Sequence, residues 1–243
     1  MRAVFSLNTS FFHKWKFEQR ILLYKYSMSL ARKYYKVILY TDKLGEQKLK
    51  SFADEIILLH KSNKDLWSEP KLQAIEREPS STLHLDGDIF LYEKLMLPNT
   101  DISYDRNERN LYESHYRDSI NLFERNNIKQ VFKEWNTNFA GCFNIGILKF
   151  KNDTVKTKYI DTFKTLKDWY LNSLDDIEKE KINITQTSMT LEEYSLTCLA
   201  EYYKWTSTEL CTLNSYEHKF GLSKYSEEFI GEVRRKLKNE TLY

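Results

Sequence analysis

At 243 residues, with 41% hydrophobic and 30% charged side chains, the chain is long enough to bury a three-layer core as one domain, whereas two domains would each be small. Its formal net charge of +2 is too slight for bulk electrostatics to hold nucleic acid or anionic lipid. Aromatic residues make up 15%, while glycines number only six and prolines three, so stacking surfaces are plentiful and each glycine asks for a reason.

The first half alternates strand and helix. Ala3 to Leu7 reads as a short strand. Phe17 to Tyr35 reads as an amphipathic helix, with Phe17, Ile21, Tyr24, Met28 and Ala31 on one face. Val37-Ile38-Leu39-Tyr40 is a continuous apolar run, the mark of a central strand buried on both faces. A helix over Glu46 to Phe52, a strand over Glu55 to Leu59, a helix opened by Pro70 over Lys71 to Arg77, and a strand over Thr82 to Asp86 follow. This order predicts an α/β, Rossmann-like fold with a mostly parallel central sheet and helices on both faces. Ligands of such sheets bind beyond the carboxyl ends of the strands, where Asn8, Asp42 and Asp86 fall.

In the second half, Glu113 to Trp135 predicts a long helix and Cys142 to Phe150 a strand interrupted at Asn144 and Gly146. Two helices, Thr154 to Leu171 and Leu191 to Tyr203, flank a polar stretch from Asp175 to Thr187, and a strand near Thr206 to Thr212 precedes the tail. No internal repeat, low-complexity tract or Pro/Gly-rich linker divides the chain.

The apolar run Thr82-Leu83-His84-Leu85 delivers two carboxylates in Asp86-Gly87-Asp88, and at i and i+2 they can converge on one face. Such a pair repels itself unless a cation lies between, and hard oxygen ligands favour Mg²⁺ or Mn²⁺. An ion held this way keeps coordination positions for a diphosphate. Far along the chain, His218-Lys219-Phe220-Gly221-Leu222-Ser223-Lys224 offers an imidazole to complete the shell, a glycine that lets backbone approach a phosphate, and a lysine point charge to neutralise it. A departing diphosphate needs that combination, because negative charge builds on it as it leaves. Gly87, Gly141, Gly146 and Gly221 all lie beside polar residues in apolar or aromatic surroundings, as close approach by a ligand or another backbone requires.

Asp86-Gly87-Asp88, Asn144-Ile145-Gly146-Ile147, Glu192-Glu193 and His218-x-x-Gly221-x-x-Lys224 occur in the order seen in GT-A-fold glycosyltransferases. The chain resembles most the family-8 enzymes, the glycogenin and lipopolysaccharide glycosyltransferase group, from about residue 1 to about residue 225. The resemblance implies a single GT-A-like domain over 1–243, with 1–92 as its nucleotide-binding half and 93–243 as its acceptor half. It implies a hexosyltransferase that moves a sugar from a UDP-sugar to a glycan or lipid-linked acceptor, with Mn²⁺ (or Mg²⁺) held by Asp86, Asp88 and His218. Gly221 and Lys224 would contact the phosphates, and Lys71 the diphosphate or donor sugar. Asn144 and Gly146 would line the sugar pocket, with Asn8 and Asp42 near the base and ribose. Where the family shows Asp-Gln-Asp this chain has Glu192-Glu193-Tyr194, so Glu193 would lie under the anomeric carbon. There it would stabilise an oxocarbenium-like centre, attack it with retention, or serve as base with inversion. The lysine is followed by Tyr225-Ser226 instead of the family's proline and tryptophan.

Each assignment has a plainer counterpart. Asp86 and Asp88 could cap a turn; Glu192, Glu193 and Glu201 could be the wet face of a helix; His84 reads as a core histidine. Trp67, and Trp135 with Phe139, are candidates for stacking on an acceptor sugar. A haloacid-dehalogenase-like phosphohydrolase also uses D-x-D, but on its first strand, and a binding protein without turnover would keep the same fold. Cys142, Cys198 and Cys211 lack a C-x-x-C pair, which argues against a disulfide framework or a zinc site and for free thiols in a reducing compartment. With no leader expected in Met1 to Phe12 and no window near the roughly 20 apolar residues of a spanning helix, the expectation is cytoplasmic. Lys14, Trp15 and Lys16 form a patch suited to the inner membrane face, and the Lys, Asn, Ile and Tyr richness suits a bacterial surface-polysaccharide pathway.

Overall fold

The computed structural model describes residues 1–11, 16–59, 66–109, 116–138, 141–173, 184–211, 215–219, 221 and 223–240. Strands β1 (Arg2–Leu7), β2 (Lys36–Thr41), β3 (Glu55–Leu58) and β4 (Leu83–Leu85) alternate with helices α1 (Phe17–Arg32), α2 (Lys43–Leu49) and α3 (Glu69–Arg77). β1 pairs in parallel with β2 and β4, and β2 with β3. Along β1 the side chains part to opposite faces, as a period of two requires. Ala3, Phe5 and Leu7 join Ile21 and Met28 of α1, while Val4 joins Ile38, Tyr40 and Ala74 of α3. Helices therefore cover both faces, which is why β2 reads as an unbroken apolar run.

The chain continues through β5 (Ile89–Leu91), β6 (Ile102–Arg109), α4 (Arg117–Arg125), β7 (Gly141–Phe150), α5 (Asp153–Ser173), α6 (Ile184–Met189) and a π turn (Thr190–Tyr194). After it come α7 (Ser195–Tyr203), β8 (Ser207–Glu209), β9 (Tyr216–His218) and α8 (Glu227–Glu240). Seven strands form one sheet in the order β3-β2-β1-β4-β7-β6-β8. Only β7 runs against its neighbours β4 and β6, so the sheet is mixed and mostly parallel. β5 and β9 form a separate antiparallel pair. Helix α8 packs Ile230, Val233 and Leu237 against Leu23, Tyr26 and Leu30 of α1 and Phe90 of β5, tying the tail to the first half.

Several sequence expectations are corrected. The helix expected over Glu113 to Trp135 begins outside the described residues and ends at Arg125, because Asn127 takes the left-handed conformation (φ 57°) that asparagine tolerates and a helix interior does not. β7 is continuous across Asn144 and Gly146; the irregularity there is a bulge rather than a break. β2 lies between β1 and β3, one place from the sheet edge. Strands β5 and β6 have no counterpart among the expected elements. Trp135, expected on an acceptor, is buried against Phe123, Phe132 and Tyr194 and is not available for stacking. Phe139, Lys14 and Trp15 lie outside the described residues. Among the described residues no helix is long and apolar enough to cross a membrane.

Candidate active site at the carboxyl ends of the strands

β4 is buried along its length between β1 and β7, so the chain emerges from the sheet at Asp86. The Asp86 amide donates to Gly146 O at 2.8 Å, and Ile89 N closes a turn on Asp86 O at 3.2 Å. Gly87 is required inside that turn. The Tyr24 ring, whose hydroxyl donates to Ser6 O at 2.8 Å, occupies the place where a Cβ on Gly87 would stand.

The turn leads into β5, and β5 draws in the far end of the chain. Ile89 registers with His218 across the β5–β9 pair, and Lys219 N donates to Asp88 O at 3.2 Å. His218 Nε2 consequently lies 3.4 Å from Asp88 Oδ1, while Nδ1 lies 2.6 Å from Asp105 Oδ2. The imidazole rests on Gly146, where a Cβ would meet its Cε1 at 2.6 Å. Beyond β9, Gly221 adopts a left-handed φ of 56°, and a Cβ there would meet nothing within 4 Å. Lys224 then ion-pairs with Asp88 Oδ2. Lys16 sits 4.7 Å over the Tyr225 ring, and Arg20 donates to the Tyr225 hydroxyl at 2.8 Å, so three cations stand around Tyr225.

On the other side, Lys71 enters from the first turn of α3. Its ammonium is buried, 2.9 Å from Asp86 Oδ1 and 3.2 Å from Glu192 Oε1, and donates to Ile145 O at 2.6 Å. The register explains why Ile145 O is free to accept. Tyr104 of β6 pairs with Leu148 but Arg106 with Asn144, so Ile145, Gly146 and Ile147 bulge opposite Asp105 alone. Each displaced main-chain group finds a side chain or neighbouring strand, as buried backbone must. Ile145 N donates to Glu193 Oε1 at 3.1 Å, and Gly146 N to Asn144 Oδ1 at 3.0 Å. Glu193 Oε2 accepts from the Tyr116 hydroxyl, and Asn144 Nδ2 donates to Glu108 Oε1 at 2.7 Å. Glu192 and Glu193 are both buried on the π turn, which rules out the wet-face reading for them; Glu201 alone of the three is exposed. π turns concentrate at functional sites.

The electrostatics follow from burial and neighbours. Burial opposes ionisation of Asp88, yet Lys224 and His218 hold its carboxyl well below the usual range. Burial raises Asp86, with Lys71 opposing and Asp88 adding to the rise. Asp86 nonetheless keeps 30% of its side chain exposed, which makes it the open side of the cluster. Burial would lower His218, but hydrogen bonds to Asp105 and Asp88 raise it to about 9. Burial lifts Glu192 to about 7 against the pull of Lys71, and lifts Glu193 to about 8 with Glu192 and Glu108 adding to the rise.

Asn8 and Asp42 sit at the ends of β1 and β2, Asn8 in a local turn and Asp42 bridging the two strand ends. Asn8 Oδ1 accepts from Ser10 N and Oγ, at 3.0 and 2.7 Å. Asp42 caps α2 through Gly45 N at 2.8 Å and holds Thr9 N and Oγ1 at 2.8 and 2.6 Å. Trp67 is half-buried, its indole directed at Thr185 O at 3.5 Å. Asp105 and Tyr24 escape sequence reasoning. Asp105 lies in a polar segment with no apolar pattern, and periodicity marks Tyr24 only as one residue of a helix face.

No group of three His, Cys, Asp or Glu side chains among the described residues stands as a preformed metal cage. The donor chemistry still fits a hard divalent ion: two carboxylates, and an imidazole whose Nδ1 is held by Asp105 so that Nε2 turns toward Asp88. Such an ion would compete with Lys224 and with the Nε2 proton for Asp88.

A family model matches residues 12–240, nearly the whole chain. The chain belongs to DUF6734, a family of unknown function. No curated protein matches this DUF6734 member in sequence. Among solved structures it is similar to the apo form of the glycosyltransferase GlyE of Streptococcus pneumoniae TIGR4, at 13% identity and a TM-score of 0.42. That match covers 86% of this chain and 45% of GlyE, so the chain spans less than half of GlyE's length. It is also similar to apo mouse xyloside xylosyltransferase 1 (11% identity, TM-score 0.35, 85% of this chain and 76% of that one). A third is the PaToxG glycosyltransferase (13%, 0.35, 98% and 86%). Likenesses this distant assign no chemistry to the DUF6734 chain.

Proposed function

We propose that this chain is a metal-dependent glycosyltransferase. It works as one nucleotide-diphospho-sugar transferase-like domain and moves a sugar from a nucleotide-diphosphate donor, a UDP-sugar, to a glycan or lipid-linked acceptor. One observation carries the reading: the His218 ring and the Lys224 ammonium, from the far end of the sequence, close on the same Asp88 carboxylate, the ring at 3.4 Å. Plain turn-capping aspartates would need neither.

Asp86, Asp88 and His218 would hold Mn²⁺ or Mg²⁺, which would supply charge neutralisation to the departing diphosphate. Lys224, with Lys16 and Arg20 around Tyr225, binds the phosphates, and the open left-handed turn at Gly221 admits them to the backbone. Lys71 orients Asp86 and Glu192. Asn144 and Gly146 form the wall of the sugar pocket, and Asn8 and Asp42 stand toward the base and ribose. Glu193 holds the β7 bulge under that pocket, and in their ionised forms Glu193 and Glu192 would favour positive charge developing at the anomeric carbon. Attack there by an ionised carboxylate would expel the nucleoside diphosphate with inversion, and displacement of that carboxylate by the acceptor hydroxyl would invert again, giving net retention. The reducing cytoplasm, with peripheral contact to the inner membrane face of a bacterium, is the setting that suits free Cys142 and Cys198 and a lipid-linked acceptor.

Incubation with Mn²⁺ and a panel of nucleotide-sugars tests this. Slow release of UDP from one donor supports the transferase. Attack on phosphomonoesters points to a hydrolase, and tight binding without release to a binding protein. Asp88→Ala is expected to weaken Mn²⁺-dependent donor binding by more than about 100-fold, since even residues that only support a metal ligand cost about 10–100-fold, with the far-UV spectrum unchanged. Full metal-dependent affinity in that variant would overturn the assignment.

A further inference from the structure

Asp105 is fully buried in the middle of β6, a placement that an isolated carboxylate does not tolerate. It stands where the β6–β7 register slips, with the β7 bulge opposite. Opposite that bulge, the Asp105 side chain meets Tyr216 and His218 of β9. Its Oδ1 accepts from the Tyr216 hydroxyl, and its Oδ2 lies 2.6 Å from His218 Nδ1, with Arg106 Nε at 3.3 Å on the same oxygen. Its main-chain carbonyl accepts from Cys211 N at 2.8 Å and Leu210 N at 3.1 Å, so its backbone is fixed from the β8 side as well. Arg106 and Tyr216 thus hold the carboxylate itself, while the bonds from Leu210 N and Cys211 N hold its backbone.

We propose that Asp105 is a positioning residue for His218: it fixes the ring plane and keeps the proton on Nδ1, so that Nε2 faces Asp88 and a divalent cation beside it. A carboxylate on the distal nitrogen of a metal-binding imidazole does this generally, setting the tautomer and raising the basicity of the ligating nitrogen. Tyr216 shares the carboxylate but sits on the opposite oxygen, so it secures Asp105 without touching the ring contact. The inference rests on the metal-dependent reading above and adds to it a residue two strands from the D-x-D.

Mn²⁺ titration followed by the electron paramagnetic resonance of the free aquo ion tests it on the full chain. Pulsed measurement of nitrogen coupling to bound Mn²⁺ reads imidazole ligation directly. Wild type is expected to bind and show the coupling, and His218→Ala to lose the coupling. Asp105→Asn, nearly isosteric, is expected to bind about 10–100-fold more weakly with the coupling reduced or lost. Tyr216→Phe, which removes a tether from β9 but leaves Oδ2 on the ring, is expected to keep the coupling and to bind within about threefold of wild type. Asp105→Asn with wild-type affinity and coupling overturns the proposal while the metal reading stands. Equal losses in Asp105→Asn and Tyr216→Phe, tracking a fall in melting temperature, overturn it as mere anchoring of β9. Wild type that binds no Mn²⁺ overturns both.

Discussion

Glu78 and Asp88 are both buried acids with a lysine close by, and their surroundings differ in one respect that separates structure from chemistry. At Glu78, Tyr40 donates to one oxygen at 2.8 Å, Arg2 meets the other at 3.3 Å, and Lys156 donates to the main-chain carbonyl at 2.6 Å while pairing with Asp153. That cluster balances itself and latches α3, β1, β2 and α5 together. Around Asp88, five carboxyl groups (Asp86, Asp88, Asp105, Glu192, Glu193) share four cationic groups (Lys71, His218, Lys224, Arg106). Folding gains nothing from surplus buried acid, since an unpaired carboxylate costs several kcal/mol by order of magnitude. Acids gathered and mutually perturbed in one place, as here, mark a candidate functional site. His84 faces Lys71 from one cluster and Lys156 from the other. Burial and both lysines lower it to about 3, so it stays neutral and shifts neither balance.

The largest perturbation of this contrast is Lys71→Met. It leaves Asp86 and Glu192 without their shared cation, and breaking a buried pair from one side costs about 3–5 kcal/mol. Urea unfolding at neutral pH measures it; a variant within about 1 kcal/mol of wild type would mean that the acids do not depend on this lysine.

Glu193→Gln is intermediate and acts through pH. The folded-state value near 8 lies above the ordinary 4.5, so the native protein holds a proton that the unfolded chain releases. Stability from this group is complete below 4.5 and declines as pH rises toward 8. The neutral amide removes that slope and is expected to stabilise the protein by about 1–3 kcal/mol at high pH, with little effect in acid. Melting temperature against pH for both proteins checks the sign. Turnover that falls in the variant while stability rises would separate a chemical role from the bulge-holding one.

Tyr40→Phe is the smallest. It deprives Glu78 Oε1 of its donor for about 1 kcal/mol and is expected to leave donor hydrolysis unchanged, because the latch and the site share no residue. A loss of hydrolysis larger than the loss of stability would show that the two clusters are one.

β1, β2 and β4 are readable because they are short apolar runs buried on both faces, Asp86 and Asp88 because they and a glycine end such a run, and His218 and Lys224 because they flank a glycine at even spacing. β6 is not, since Ile-Ser-Tyr-Asp-Arg-Asn-Glu-Arg carries its strand character in pairing with β7 and β8 rather than in its own hydrophobicity. Asp105 is hidden for the same reason. The polar look of Glu192 and Glu193 suggests a solvated face, whereas tertiary contacts with Lys71, Ile145 and Tyr116 allow them to be buried. Periodicity cannot register a partner that lies a hundred residues away.

The antiparallel clasp between β5 and β9 has a consequence for synthesis. At about 5–20 residues per second, the ribosome needs roughly ten seconds between making the acid pair and making the histidine that answers it. During that interval neither the imidazole nor Lys224 exists to answer Asp88. The cluster is therefore complete only once β9 has paired with β5, and a chain truncated before Tyr216 lacks the contacts of His218 and Lys224 to Asp88.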